Sequence, residues 1–332
     1  MENHTDTHAP EARSAKIVVL AFPLFIICGS LIAFAQPAPF LPLTSYITYF
    51  LMVIMFGMGL TLTIPDFKQV ARRPLPILIG VVAQFVIMPL LAVAVAKLLG
   101  LNPALAIGLL MLGSVPGGTS SNVIAYLCRG DVALSVAMTS VSTLVSPIMT
   151  PMLMLILADA HTEVNAWAMA WSLCQTVLIP VVGGLVIRFV ADGFVNKILP
   201  ILPWVSILGI GGVVFGAVAK NAERLATIGL IVFAAVIIHN VCGFIFGYLT
   251  GYATKMGTAQ KRTLATEVGT QSAGLSSGMS AQFFSPEAAL PGAVAAVIHN
   301  ITGSVYVALC RRMDEKKTVR EQAVPVPAFV AD

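Results

Sequence analysis

Runs of about twenty apolar residues fill most of this 332-residue chain, and a run of that length as a helix matches the hydrocarbon thickness of a bilayer. Inside lipid a backbone has no water to bond, so a crossing segment must satisfy its own N–H and C=O groups. Ten such runs occur, near residues 17–35, 45–64, 75–99, 103–128, 131–158, 165–190, 198–219, 225–252, 259–284 and 286–310. The composition agrees: 58% of residues are hydrophobic and 10% charged, against roughly 25% charged in soluble domains. The expected class is an all-α polytopic membrane protein. The first run ends in Ala33-Phe34-Ala35, which resembles a cleavage site, yet Glu2, Asp6 and Glu11 offset Arg13 and Lys16 before it. It therefore reads as a retained membrane helix rather than a signal peptide.

The basic residues orient the chain. With ten spans, one side takes both tails and the joints 2–3, 4–5, 6–7 and 8–9. That side holds sixteen of the nineteen Lys and Arg residues, leaving Lys97, Lys220 and Arg224 on the other. Such a bias places the tails, residues 1–16 and 311–332, in the cytoplasm, as expected for a bacterial inner membrane protein. The distribution accounts for the net charge of +4 without any nucleic acid partner. The ten spans divide into halves of five, 17–158 and 165–310, and an odd number per half inverts the second relative to the first. Weak likeness accompanies the division: Gly118-Thr119-Ser120-Ser121 answers Gly269-Thr270-Gln271-Ser272, and Gln84 answers His239.

Two spans are interrupted. Gly113-Ser-Val-Pro-Gly-Gly-Thr-Ser-Ser-Asn122 breaks the fourth, and Glu267-Val-Gly-Thr-Gln-Ser-Ala-Gly274 breaks the ninth. Backbone leaves helical geometry at membrane depth only where protein or a water-filled cavity satisfies it, and paired breaks of this kind point to the substrate site of a secondary transporter. Glu267 is the one acidic residue well inside a span. An isolated carboxylate there is expensive, so a partner is expected. No Lys or Arg lies at comparable depth, which leaves a bound cation or a proton. Ser121, Asn122, Ser135, Thr139 and Gln84 supply oxygen donors nearby, and Ser135 and Thr139 share a helix face. An oxygen-rich, sulfur-poor set suits a hard cation, with sodium the natural candidate. Asp131 and Arg129, at a tight joint, read as a helix cap and a topology charge. The five cysteines form no CxxC pair and read as packed free thiols.

The stretch from Pro116 to Ser135, continuing through Thr139 to Pro147, resembles the signature of the bile acid:sodium symporter family. Glu267 to Leu275 is similar to its second signature, and His299-Asn300 to its last-helix motif. The resemblance implies a ten-helix inverted repeat with a core of spans 3–5 and 8–10 and a panel of spans 1, 2, 6 and 7. It also implies two sodium ions. The first would take Ser121, Asn122, Ser135, Thr139 and Glu267; the second, Gln84, Glu267, the Val268 carbonyl, Thr270 and Gln271. Where the family commonly carries Asn after that Gln, this chain has Ser272.

These features predict a sodium-coupled symporter of an organic anion rather than an enzyme or a channel. No HExxH or paired-carboxylate motif is visible, and the polar residues cluster at one depth. The substrate is expected at the amides of Thr119 and Ser120, with Ser272, His299 and Asn300, since the N-terminus of a half-helix favours an anion. The short Ser272 favours a small pantoate- or ketopantoate-like acid, with a bile-acid-type substrate as the alternative. No cofactor is expected beyond the two sodium ions.

Overall fold

The computed structural model of the chain describes residues 24–63, 71–158 and 162–322, all helix and short connection. The tail 1–16, residues 17–23 of the first span, Lys68, Asp159 and residues 323–332 lie outside the described residues, so the expectations placed on them are not addressed by the structure. Helix α1 is Leu24–Ala35. A 3-10 helix, Ala38–Tyr46, leads into α2, Ile47–Thr61. Then come α3, Pro74–Leu98; α4, Pro103–Ser114; α5, Ser120–Leu127; and α6, Val132–Leu157. Helices α7, Ala166–Leu173, and α8, Ile179–Val190, are joined by a π turn, Cys174–Leu178. Pro180, in the first turn of α8, has no N–H to give the preceding turn, and a wider turn absorbs the gap. The remainder is α9, Asp192–Ile198; α10, Leu202–Lys220; α11, Ala222–Ala253; α12, Thr258–Gly269; α13, Ala273–Phe283; and α14, Leu290–Gln322, entered by a 3-10 turn, Glu287–Ala289.

Among the described residues, seven helices are long and apolar enough to cross a membrane. Of the other expected spans, the first contributes twelve described residues in α1. The fourth and ninth are each split, into α4 and α5 and into α12 and α13. Large apolar side chains cover the outside: Trp167, Ile148, Val190 and Leu230 are all strongly exposed, as suits a surface meeting lipid rather than water.

Local chemistry sets both breaks. Asn102 caps α4 by accepting from the Leu105 amide at 2.9 Å, and Pro103 occupies its first turn. Pro116 then ends it, because the residue before a proline is pushed toward extended backbone; Val115 has ψ 161°. Helix α12 stops at Gly269, with Thr270 extended. Asp131 caps α6 through the Leu134 amide at 3.1 Å, as its position at the joint implied, and holds Arg73 at 3.0 Å. Packing divides the helices: α2 lies mainly against α8 and α10, whereas α3, α4, α6, α11, α12, α13 and α14 pack chiefly on one another. All five cysteines are free thiols.

Candidate functional site

The two breaks touch each other. Gly117 and Gln271 form an antiparallel bridge, in which the Gly118 amide donates to the Thr270 carbonyl at 3.0 Å and the Ser272 amide to the Pro116 carbonyl at 2.9 Å. Backbone groups released by one broken helix are thus satisfied by the other, the condition for leaving helical geometry away from water. A side chain at position 118 would block the approach, and one at 117 would crowd the carboxylate. A Cβ on Gly118 would stand 2.6 Å from the Gln271 carbonyl oxygen, and one on Gly117 3.2 Å from Glu267 Oε2.

Glu267, fully buried on the last turns of α12, faces α5 and α6. Ser121 donates to its Oε1 at 2.5 Å, Ser135 reaches the same oxygen, and Thr139 donates to Oε2 at 2.7 Å. Asn122 Oδ1 lies 2.8 Å from the Ser135 hydroxyl and 3.5 Å from that of Thr139. These are five oxygen–oxygen contacts, but three hydroxyls carry only three protons. The cluster is therefore richer in acceptors than in donors, which is the chemistry of a hard-cation site. Among the described residues no basic side chain neutralises it: Arg262, five residues earlier on α12, is turned to Asp314 at 2.5 Å and to the Cys128 carbonyl at 2.9 Å. Among the described residues no group of three or more His, Cys, Asp or Glu side chains exists to hold a transition metal.

On the other side of Gly117 sits a second oxygen group. Gln84, also fully buried, donates from Nε2 to Gln271 Oε1 at 3.2 Å, while its own Oε1 has no partner. The Thr270 hydroxyl is buried without a partner as well. A buried polar atom left unbonded costs roughly 1–3 kcal/mol, so a ligand that reached Gln84 Oε1 and the Thr270 hydroxyl would relieve both. The Val268 carbonyl accepts from Gln271 Nε2 at 2.8 Å.

The residues expected at the substrate also converge. Thr119, Ser120, Ser272, His299 and Asn300 all line one cavity of about 530 Å³. Both ring nitrogens of His299 are without a partner, and the Asn300 amide donates to the Ala296 carbonyl at 2.8 Å. Sequence reasoning missed Asn240 and Thr302. Asn240 donates to the Gly269 carbonyl at 2.7 Å, and Thr302 bonds the Asn240 side chain, so together they hold the end of α12 at its break. An Asn in the middle of an apolar span was the available signal. Ser142 was missed too; it accepts from the Gly117 amide at 3.4 Å.

The sequence profile of the Sodium Bile acid symporter family matches residues 48–228. The chain belongs to that family. The match ends before the second break, and full-length relatives carry the likeness through it. The chain is 40% identical to the "Uncharacterized sodium-dependent transporter YocS" of Bacillus subtilis (strain 168), over 89% of this chain and 92% of that protein. It is 36% identical to "Probable sodium/metabolite cotransporter BASS1, chloroplastic" of Arabidopsis thaliana, over 90% of this chain and 75% of the relative. To "Probable sodium/metabolite cotransporter BASS2, chloroplastic" of Oryza sativa subsp. japonica it is 33% identical, over 89% and 71%. This member of the symporter family is a multi-pass, sodium-coupled membrane transporter and not an enzyme.

Proposed function

We propose that the chain carries an organic anion across the membrane together with two sodium ions, by alternating access around the crossed breaks. The observation that carries this reading is the buried Glu267, with no cationic partner among the described residues, ringed by hydroxyl and amide oxygens from α3, α5, α6 and the second break. One ion is assigned to Ser121, Asn122, Ser135, Thr139 and Glu267. The other is assigned to Glu267, Gln84, Thr270, Gln271 and the Val268 carbonyl once Gln271 releases it. Sodium on both sides of Glu267 would turn a site that repels anions into one that accepts a carboxylate or sulfonate at the Thr119 and Ser120 amides. Ser272, His299 and Asn300 would complete the contacts. The architecture assigned to this cycle is ten spans in two inverted halves, 17–158 and 165–310. Spans 3–5 and 8–10 form the moving core, spans 1, 2, 6 and 7 the panel, and both tails are cytoplasmic at a bacterial inner membrane.

The energetics suit accumulation. Two sodium ions with one monoanion move a net charge of +1 inward, worth about 2.3 kcal/mol per 100 mV. Each tenfold sodium gradient adds about 1.4 kcal/mol per ion. Together these support enrichment of about several thousandfold, which a passive channel cannot reach.

The cavity favours a bile-acid-type substrate over the pantoate-like acid that Ser272 alone suggested. Its walls are largely apolar, with Leu51, Met55, Met58, Leu202, Ile207 and Ile210 facing the breaks across it. A six-carbon acid would touch little of that lining, whereas a large amphipathic anion would bury its apolar body there. The family description, Sodium Bile acid symporter family, points the same way. Sodium-gradient uptake of taurocholate and of pantoate by the same proteoliposomes tests the assignment. A taurocholate signal that collapses without sodium supports it, and pantoate uptake with no taurocholate signal restores the smaller substrate.

A further inference from the structure

The cavity extends from the breaks toward Thr61, Leu62, Leu199 and Val307, at the helix ends that carry most of the basic residues. Leu127, the last residue of α5, lines this cavity and also lines a second cleft of about 430 Å³. The other walls of that cleft are Tyr126, Arg129, Arg311 and Glu315. Each arginine makes one bond to the protein. Arg129, whose backbone is left-handed at φ 59°, directs Nη1 to Asp314 at 3.4 Å. Arg311 donates from Nε to the Leu127 carbonyl at 3.3 Å. Asp314 is shared, since Arg262 holds it more closely at 2.5 Å. Each guanidinium has five N–H donors, so most of those on Arg129 and Arg311 remain unused among the described residues. The sequence after Arg311 adds Arg312, Lys316, Lys317 and Arg320 against Asp314, Glu315 and Glu321, so the segment that carries Arg311 is basic overall.

We propose that this cleft is a second anion site, which takes the acid group of the transported anion at the mouth of the cavity, apart from the sodium cluster. The proposal rests on the symport reading for its cargo but not for its geometry. Planar guanidinium groups pair with carboxylate and sulfonate oxygens through two parallel N–H donors. Neither Arg129 nor Arg311 bonds a residue of the sodium cluster, so binding here is independent of sodium, whereas binding at the breaks requires it. The shared Leu127 wall lets an amphipathic anion keep its apolar body in the large cavity while its acid group changes partners. The same chemistry would also suit the phosphate of an anionic lipid, because Tyr126 is exposed beside the cleft. The continuity through Leu127 favours the transported anion.

Labelled taurocholate binding to the full chain in phosphatidylcholine nanodiscs, with and without sodium, tests the assignment. The expected isotherm has a tight sodium-dependent phase and a weaker phase that persists in choline and fades as salt rises. Arg129→Gln and Arg311→Gln each weaken the sodium-independent phase by about fivefold and leave the tight phase in place, which also reports that the variants fold. Arg72→Gln, at an exposed arginine that does not line the cleft, changes neither. Absence of the weak phase, or a weak phase unchanged in both variants, overturns the proposal. So does its displacement by phosphatidylglycerol added to the nanodiscs, which would make the cleft a lipid site. Loss of the tight phase alone, with the weak phase present and sensitive to both arginines, would refute the symport reading for this anion while the second site stands.

Discussion

Gly118→Ala is a one-methyl change at the contact between the two breaks, where the transport site is proposed. The added Cβ would stand 2.6 Å from the Gln271 carbonyl oxygen, 3.1 Å from its carbonyl carbon and 3.4 Å from the Ser272 amide nitrogen. All three are backbone atoms, so no side chain can swing aside and the breaks must separate. Overpacking of this kind costs about 1–3 kcal/mol. Stretching the Gly118–Thr270 and Ser272–Pro116 bonds forfeits about 1 kcal/mol more. The cost falls on the turn that carries Thr270 and Gln271, so sodium binding bears it. A loss of about 2 kcal/mol there is a roughly thirtyfold weaker sodium dependence. A sodium titration of uptake, alongside sodium-dependent thermal shift of the purified protein, measures it. Gly183→Ala, where a Cβ meets nothing within 4 Å, is the matched control and is expected to behave as wild type. Wild-type sodium dependence in Gly118→Ala would show that the bridge between the breaks does not set the ion sites.

Three other perturbations probe separate parts of the account. Gln84→Leu removes the orphaned Oε1 and the bond to Gln271 at nearly constant volume; uptake is expected to respond to sodium with a Hill coefficient near one where the wild type approaches about two, and an unchanged coefficient would remove Gln84 from the second site. Arg262→Lys keeps the charge but cannot fork between Asp314 and the Cys128 carbonyl; unfolding should come earlier by about 2–3 kcal/mol, and a melting curve matching wild type would refute the clasp. Cysteine labelling from either side is expected to place residues 1–12 and 318–332 in the cytoplasm and Glu163 outside, and tails on opposite sides would contradict the ten-span reading.

The break positions were legible because their causes are local. Pro116 forbids continued helix, Gly118 has no Cβ to obstruct the partner backbone, and a lone carboxylate at Glu267 demands a ligand wherever it sits in lipid. The acid's partners were legible to the extent that short motifs hold them: Ser121 and Asn122 lie on one turn, and Ser135 and Thr139 on one helix face. Asn240 and Thr302 escaped because their bond is made 62 residues apart, between α11 and α14, and nothing in either segment names the other. The order of the two substrate readings has the same cause. Ser272 lies in the motif and was read as a sign of a small acid, while the apolar wall that sets the cavity's size comes from α2 and α10, far from any motif. Helix length was also a partial guide, since two of the spans that supply the candidate site, the fourth and the ninth, do not run through.

The most direct test of the central claim is the response of Glu267→Gln to sodium. The substitution preserves shape and burial while removing the charge that both proposed ions share. Proteoliposomes bearing the variant are expected to accumulate no organic anion under an inward sodium gradient, and the purified protein to show no sodium-dependent rise in melting temperature. Near wild-type sodium-coupled accumulation in that variant would contradict the claim that one buried carboxylate organises the coupling.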